Sequence, residues 1–262
     1  MMASASLSLT SCNLRTSSAT FSSPLARRTQ RISAIMALNS STPLTSISSN
    51  GRRKLPILLF DVMDTLVRDP FYEDIPAFFR MPMKELLECK HPTAWIEFEE
   101  GLIDEPTLAR KFFKDQRSFD LEGLKSCMKR GYSYINGVEE LLCSLKKNGY
   151  EMHAFTNYPI WYTMIEEKLK LSNYLSWTFC SCKFGKRKPD TDFYLEVLKH
   201  LDVEPGNCIF VDDRMKNVEA AIEAGFRGFQ FKGVDLLRND LSTLGVDISS
   251  NSHNENQDLA SL

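Results

Sequence analysis

Residues 55–69 read LPILLFDVMDTLVRD. The apolar run Leu55–Phe60 has the length and composition of a strand buried on both faces of a parallel sheet. It ends at Asp61, and Asp64 and Thr65 follow at once. A carboxylate just past a buried strand is placed where an open α/β sheet binds its ligand, at the carboxyl edge.

The rest of the chain supplies the remainder of such a sheet. GVEELLCSLKKNG (137–149) is an amphipathic helix that stops at Gly149, and YEMHAFTN (150–157) is a strand. IWYTMIEEKLKL is a helix, WTFCS a strand, and DTDFYLEVLKHLDV a helix that Asp190 is placed to cap. NCIFVDD, MKNVEAAIEAGF, RGFQF and VDLLRNDLSTLG continue as strand, helix, strand and helix. Regular alternation predicts an α/β fold, a doubly wound parallel sheet with helices on both faces. Residues 55–69 and 135–245 form its core. Residues 70–134 carry aromatic and Met-rich helical patterns punctuated by Pro82, Pro92 and Pro106. They read as a small helical insert of three or four helices.

The ends differ from this middle. The first acidic residue of the 262 is Asp61, and the first fifty residues are dense in Ser and Thr, with Arg15, Arg27, Arg28 and Arg31 as their charges. That composition is the composition of an organelle transit peptide of the chloroplast kind, with a linker to about residue 50, disordered as a whole. Cleavage is expected between residues 32 and 37. Residues 247–262 are polar and read as a flexible tail. A formal net charge of −2 gives no footprint for nucleic acid, and no apolar run is long enough to span a membrane. Seven cysteines show no CxxC pair or zinc-ligand spacing and read as reduced thiols; Cys180 and Cys182 alternate as if on one face of a strand.

Three strands end in polar groups at one edge: Asp61, then Thr156 and Asn157, then Asp212 and Asp213. Lys188, in GKRKPD, opens the helix before the last of these. These motifs (FDVMDTL, FTN, KPD…F and VDDRMKN…A…AG, in order) resemble those of the haloacid-dehalogenase superfamily, and the insert resembles the family's helical cap. The resemblance covers about residues 55–232. It implies a Mg²⁺-dependent phosphatase. Asp61 is then nucleophile and metal ligand, Asp213 and Asp212 are further ligands, and the Met63 carbonyl is a third oxygen source. Thr156 binds the phosphoryl group, and Lys188 neutralises charge.

Position 63 departs from the pattern. Phosphatases of the family carry an Asp there as general acid, and a thioether does not titrate. Three readings stay open. Asp64 supplies the proton; or the insert does, through His91, Glu97, Glu99 or Glu100; or the protein is catalytically weak. The metal motif argues against a dehalogenase. The leader, the DVMDTLV variant and the aromatic-rich insert together resemble the flavin mononucleotide (FMN) hydrolases of plant chloroplasts. That likeness implies FMN as the phosphate ester, hydrolysed to riboflavin in the plastid. Phe71, Tyr72, Phe78, Phe79, Trp95, Tyr158 and Trp161 are the aromatic candidates for a flat ring, with Asn157, Tyr158 and Trp161 nearest the second motif. Another ribityl- or sugar-phosphate phosphatase and a phosphate-binding scaffold are the alternatives.

Overall fold

The computed structural model describes residues 54–249. The expected leader, linker and all but the start of the tail lie outside them, as does Cys12. Five parallel strands, β1 (Lys54–Phe60), β2 (Tyr150–Thr156), β3 (Ser176–Cys180), β4 (Cys208–Asp212) and β5 (Arg227–Gln230), lie in the order β3-β2-β1-β4-β5. The order reverses at β1, whose Phe60 is in register with Ala154 on one side and Val211 on the other. Asp61 therefore leaves the sheet at the topological switch point, where ligands bind in such folds.

Alternation along the strands divides the core in two. Leu58 and Phe60 of β1, Met152 and Ala154 of β2, and Ile209 and Val211 of β4 face one cluster. There they meet helices α6 (Val138–Lys147), α7 (Tyr162–Leu169) and α11 (Val234–Thr243). Ile57, Leu59, Phe155, Cys208 and Phe210 face the other, against Phe193, Tyr194 and Val197 of α9 (Thr191–Leu201) and Ala221 of α10 (Met215–Glu223). Helices on both faces explain why Ile57–Phe60 of β1 and Cys208–Val211 of β4 are apolar throughout rather than alternating with polar residues. α6 carries Glu139 and Glu140 in its first turn and Lys146 and Lys147 in its last, matching the helix dipole. Gly149 follows at φ +78°, the left-handed conformation that ends such a helix. Asp190 occupies the position before α9, but its side chain makes no capping hydrogen bond; its carbonyl accepts the Phe193 amide instead.

Between β1 and β2 the insert holds five helices, more than the pattern predicts: α1 (Asp74–Phe79), α2 (Met83–Cys89), α3 (Ala94–Glu99), α4 (Glu105–Lys111) and α5 (Leu121–Gly131). Within IPAFFRMPMKELLE the break falls where Pro82 punctuates the pattern: Arg80 turns left-handed at φ 54° and Pro82 starts α2 afresh. Asp104 and Asp120 cap α4 and α5 through the amides of Thr107 and Gly123. Phe78, Phe79, Phe112, Phe113 and Phe119 pack in edge and stacked contacts at ring separations of 4.9–5.8 Å. Phe78 and Phe79 are thus part of the insert's own core rather than its binding wall.

The short α8 (Ser181–Phe184) follows β3 directly, so Cys182 is helical and does not share a strand face with Cys180. No disulfide joins the six cysteines among the described residues to one another. Residues 247–249, expected to be loose, are tied to the core. The Asp247 amide donates to the Tyr150 hydroxyl at 2.8 Å, and the Asn148 amide donates to the carbonyls of Asp247 and Ser249. No described helix is long and apolar enough to cross a membrane.

Candidate active site

Lys188 organises the edge of the sheet. Its ammonium donates to Asp61 Oδ1 at 2.8 Å, Asp212 Oδ2 at 2.6 Å and the Phe155 carbonyl at 2.6 Å, and the side chain is 1% exposed. Its methylene stem reaches this position past the rings of Phe155 and Phe210, with Nζ 5.3 and 5.1 Å from their centroids. Burial alone would lower its pKa; the two carboxylates outweigh burial and raise it, so Lys188 is a fixed cation. Asn157 holds the backbone of Lys188 from both sides. Its Oδ1 accepts the Lys188 amide and its Nδ2 donates to the Lys188 carbonyl, each at 2.8 Å. Asn157 directly follows Thr156, the last residue of β2, and this reciprocal pair docks the Lys188 loop on that strand.

Asp61, Asp212 and Asp213 each turn a carboxylate oxygen into a group within 4.8 Å of one another. Asp61 is pushed up to about 7, chiefly by burial and against the pull of Lys188. Asp213 is pushed up to about 6 by burial and the Asp212 charge. Crowded carboxylates with only one buried cation are the donor set of a hard divalent ion. The two Asp residues of the pair differ. Asp212 is fully buried and accepts from Lys188, from the Arg214 amide and twice from Asn217 Nδ2. The Asp213 carboxylate has no hydrogen bond or ion pair to a described residue; its amide donates to Thr65 Oγ1 at 3.1 Å. Thr156, at the end of β2, is fully buried, and its hydroxyl has no hydrogen-bond partner among the described residues. A donor left open beside this edge suits an incoming anion's oxygen.

Above the edge lies a cavity of about 210 Å³, walled by Asp61, Met63, Asp64, Asn157 and Lys188 from the core and by Phe71, Tyr72, Lys90, Trp95 and Glu99 from the insert. Asp69, Arg187, Arg214 and Tyr158 complete much of the wall. Tyr158 is held by its amide on Ser181 Oγ and by a 2.7 Å hydrogen bond between its hydroxyl and that of Tyr132. Ser181 Oγ in turn donates to the Glu99 carbonyl, which fastens α3 to the core.

Trp161 is not on this wall. It is 1% exposed, donates through Nε1 to Glu105 Oε1 at 2.6 Å, and packs edge-on against Trp95 and Phe98 at 5.7 and 5.1 Å. Its place just before α7 turns the ring toward α3 and α4, so it fastens the insert rather than meeting a ligand. Asp64 reaches the cavity, but its Oδ1 accepts the Asp69 amide at 3.0 Å, and its own amide closes a turn on the Val67 carbonyl with φ at 56°. Of the carboxylates considered in the insert, only Glu99 lines the cavity. Its two oxygens accept from Trp95 Nε1 and Arg187. Glu97 is paired with Lys111 instead.

Asn217, Asp69, Lys90, Arg187 and Arg214 had not been singled out. Asn217 carried a readable signal: it follows Asp212 by five residues, across a strand-to-helix turn, inside the motif already quoted. Lys90 had none, because its approach to the site depends on how the insert folds back.

The comparisons agree with this geometry. Residues 56–225 match the model of the haloacid dehalogenase-like hydrolases. The chain is 68% identical over 198 residues to the chloroplast flavin mononucleotide hydrolase 1 of Arabidopsis thaliana, covering 76% of this chain and 81% of that one. It is 26% identical over 189 residues to a phosphoglycolate phosphatase of Pseudomonas syringae pv. tomato, covering 66% and 68%. Its fold resembles that of a haloacid-dehalogenase family enzyme from Bacteroides thetaiotaomicron, solved with magnesium and inorganic phosphate. The TM-score is 0.56 at 18% identity, over 68% of this chain and 94% of that one. With the four motifs gathered at one sheet edge and the family match spanning most of the described residues, this chain belongs to the haloacid dehalogenase-like hydrolases.

Proposed function

We propose that this protein is a phosphoric monoester hydrolase that converts FMN to riboflavin through an aspartyl-phosphate at Asp61. The observation that carries the chemistry is the Asp61–Lys188–Asp212 triad buried at the switch point. The 68% identity to an FMN hydrolase carries the substrate. An aromatic wall of Phe71, Tyr72, Trp95 and Tyr158 above a phosphate-sized polar floor suits a flat ring joined to a phosphate.

An Asp61 oxygen attacks phosphorus, the bond to the ribityl oxygen breaks, and that oxygen leaves with a proton. Water then attacks the acyl phosphate, releasing inorganic phosphate and restoring Asp61. Lys188 holds Asp61 aimed and offsets charge on the transferring group, and the Thr156 hydroxyl donates to a phosphoryl oxygen. Asp61, Asp213, the Met63 carbonyl and, directly or through water, Asp212 would hold Mg²⁺. When bound, Mg²⁺ neutralises the phosphate dianion so that a carboxylate can approach it. Asn157 positions Lys188 and Tyr158 borders the ring. The insert 70–134 is proposed as the cap that selects the ester, and the acid-free leader, together with the chloroplast relative, supports residence in the plastid stroma.

Phosphate release is to be measured with Mg²⁺ from FMN, other ribityl and sugar phosphates, and phosphoglycolate. Turnover of FMN well above the others is expected. Uniform release across the panel would remove FMN as the substrate, and no release from any ester would leave a phosphate-binding scaffold.

A further inference from the structure

Met63 leaves the site without the acid that the leaving oxygen needs. A ribityl alkoxide is a poor leaving group, so the proton must come from a group on the cavity wall, open to the ester and able to carry a proton near neutrality. Three carboxylates outside the metal cluster reach that wall: Asp64, Glu99 and Asp69. Glu99 uses both oxygens as acceptors, and one faces the Arg187 cation. Protonating it would forfeit that ion pair. Asp64 is turned to hold the Asp69 amide.

Resting on the phosphatase reading above, we propose that Asp69 is the general acid that protonates the leaving ribityl oxygen, and that Asp64 is the residue that positions it. Asp69 immediately precedes the short turn bearing Phe71 and Tyr72, so it stands where the chain passes from the phosphate-side loop to the aromatic wall. The ester oxygen of a ribityl phosphate sits at the same junction, between phosphate and ring. Its Oδ1 accepts the Phe71 amide at 2.9 Å. Its Oδ2 has no hydrogen-bond partner among the described residues and is left for the cavity that Asp69 lines. The backbone of Asp69 is fixed by the Asp64 carboxylate, three residues beyond the nucleophile.

The surroundings favour a carboxyl that holds its proton. Burial pushes Asp69 up to about 6, with help from the charges of Asp64 and Asp213; Arg214 and the Phe71 amide pull the other way. The hydroxyls of Tyr132 and Tyr158 feel it too, and both are raised far above neutrality, so they stay uncharged; Tyr72, Lys90, Glu99 and Arg187 line the same cavity. In the first half-reaction Asp69 gives its proton to the departing oxygen as the P–O bond breaks. In the second its carboxylate takes a proton from the attacking water, which returns it to the starting state.

The test uses the full-length protein with Mg²⁺, FMN as the alkyl ester and p-nitrophenyl phosphate as the aryl ester, whose leaving group needs little protonation. Asp69→Asn keeps the Oδ1 acceptor for the Phe71 amide. It should lower kcat on FMN by ~10²–10⁴ while lowering kcat on the aryl ester far less. The basic limb of the pH profile on FMN should disappear. Met63→Asp added to Asp69→Asn should restore much of the FMN rate by returning an acid to the family's position, which repair of a merely misfolded loop would not do. Equal losses on both esters, or a double variant no faster than Asp69→Asn, would overturn the assignment. FMN turnover unchanged by Asp69→Asn would overturn it alone. Absence of FMN turnover in the unmodified protein would overturn the phosphatase reading, and the assignment with it.

Discussion

Lys188 Nζ and Asp61 Oδ1 lie 2.8 Å apart with scarcely any solvent between them and the outside, and Asp212 faces the same ammonium from the other side. One buried cation therefore faces two buried carboxylates, which leaves net negative charge for a divalent ion to offset. Removing either sign of charge leaves the other uncompensated in a poorly solvated place.

Lys188→Met should accordingly abolish turnover and also destabilise the fold. Leaving the carboxylates unpaired costs about 3–5 kcal/mol by analogy with other broken buried pairs. Thermal melts with and without Mg²⁺ check this. The variant should melt several degrees lower in chelator, and added Mg²⁺ should recover more stability in it than in the unmodified protein, because a divalent ion supplies the missing counter-charge. Identical melting in chelator would mean that Lys188 does not stabilise the edge.

Asp213→Asn should raise the Mg²⁺ concentration needed for half-maximal activity, with the maximal rate falling less. Its carboxylate makes no hydrogen bond or ion pair to a described residue, whereas Asp212 is occupied by Lys188, Asn217 and the Arg214 amide. A Mg²⁺ titration of activity decides it. An unmoved midpoint would shift the ligand role to Asp212.

The two tryptophans near the cavity should separate. Trp95 lines the wall; Trp161 sits behind it and holds Glu105. Trp95→Leu should raise the KM for FMN while leaving that for p-nitrophenyl phosphate nearly unchanged. Trp161→Phe should cost stability, about 1–3 kcal/mol through the orphaned Glu105 oxygen and lost packing, with little change in the KM for either ester. Steady-state kinetics and denaturant melts on both variants distinguish these roles.

This contrast shows what was legible in the chain. The sheet could be read because β1 and β4 hold short apolar runs and every strand sits between helices of clear 3.6-residue period. The catalytic edge could be read because its residues directly follow those runs: Asp61 after Phe60, Asn157 after Thr156, Asp212 at the end of CIFVD. Backbone connectivity fixes such positions. Tyr158 follows the second motif at once and Trp161 four residues after it, but the intervening turn takes the Trp161 ring off the cavity wall, and no local pattern records that displacement. The insert was harder still. Pro82 marks the break between its first two helices, but the left-handed backbone of Arg80 that ends the first is not advertised by its side chain. Lys90 and Glu99 reach the cavity only through the tertiary packing of five short helices. Asp69 was hidden for a different reason, since an Asp before Pro70 reads as an ordinary turn residue.

A fluorescent protein fused behind residues 1–50 should enter chloroplasts, and a chain beginning near residue 37 should retain full FMN turnover. The acid-free, Ser-rich composition of that segment is the ground for this expectation. A fusion that stays in the cytosol would contradict it.

The covalent step at Asp61 is open to direct observation. Protein mixed with Mg²⁺ and FMN, quenched in acid within a turnover and treated with borohydride, should yield the peptide containing position 61 with its aspartate reduced to homoserine, the product of an acyl phosphate. Asp61→Asn, folded as judged by its melting curve, should give neither this product nor phosphate release. Rapid turnover of FMN with no trapped product at position 61, or substantial turnover by Asp61→Asn, would contradict the mechanism.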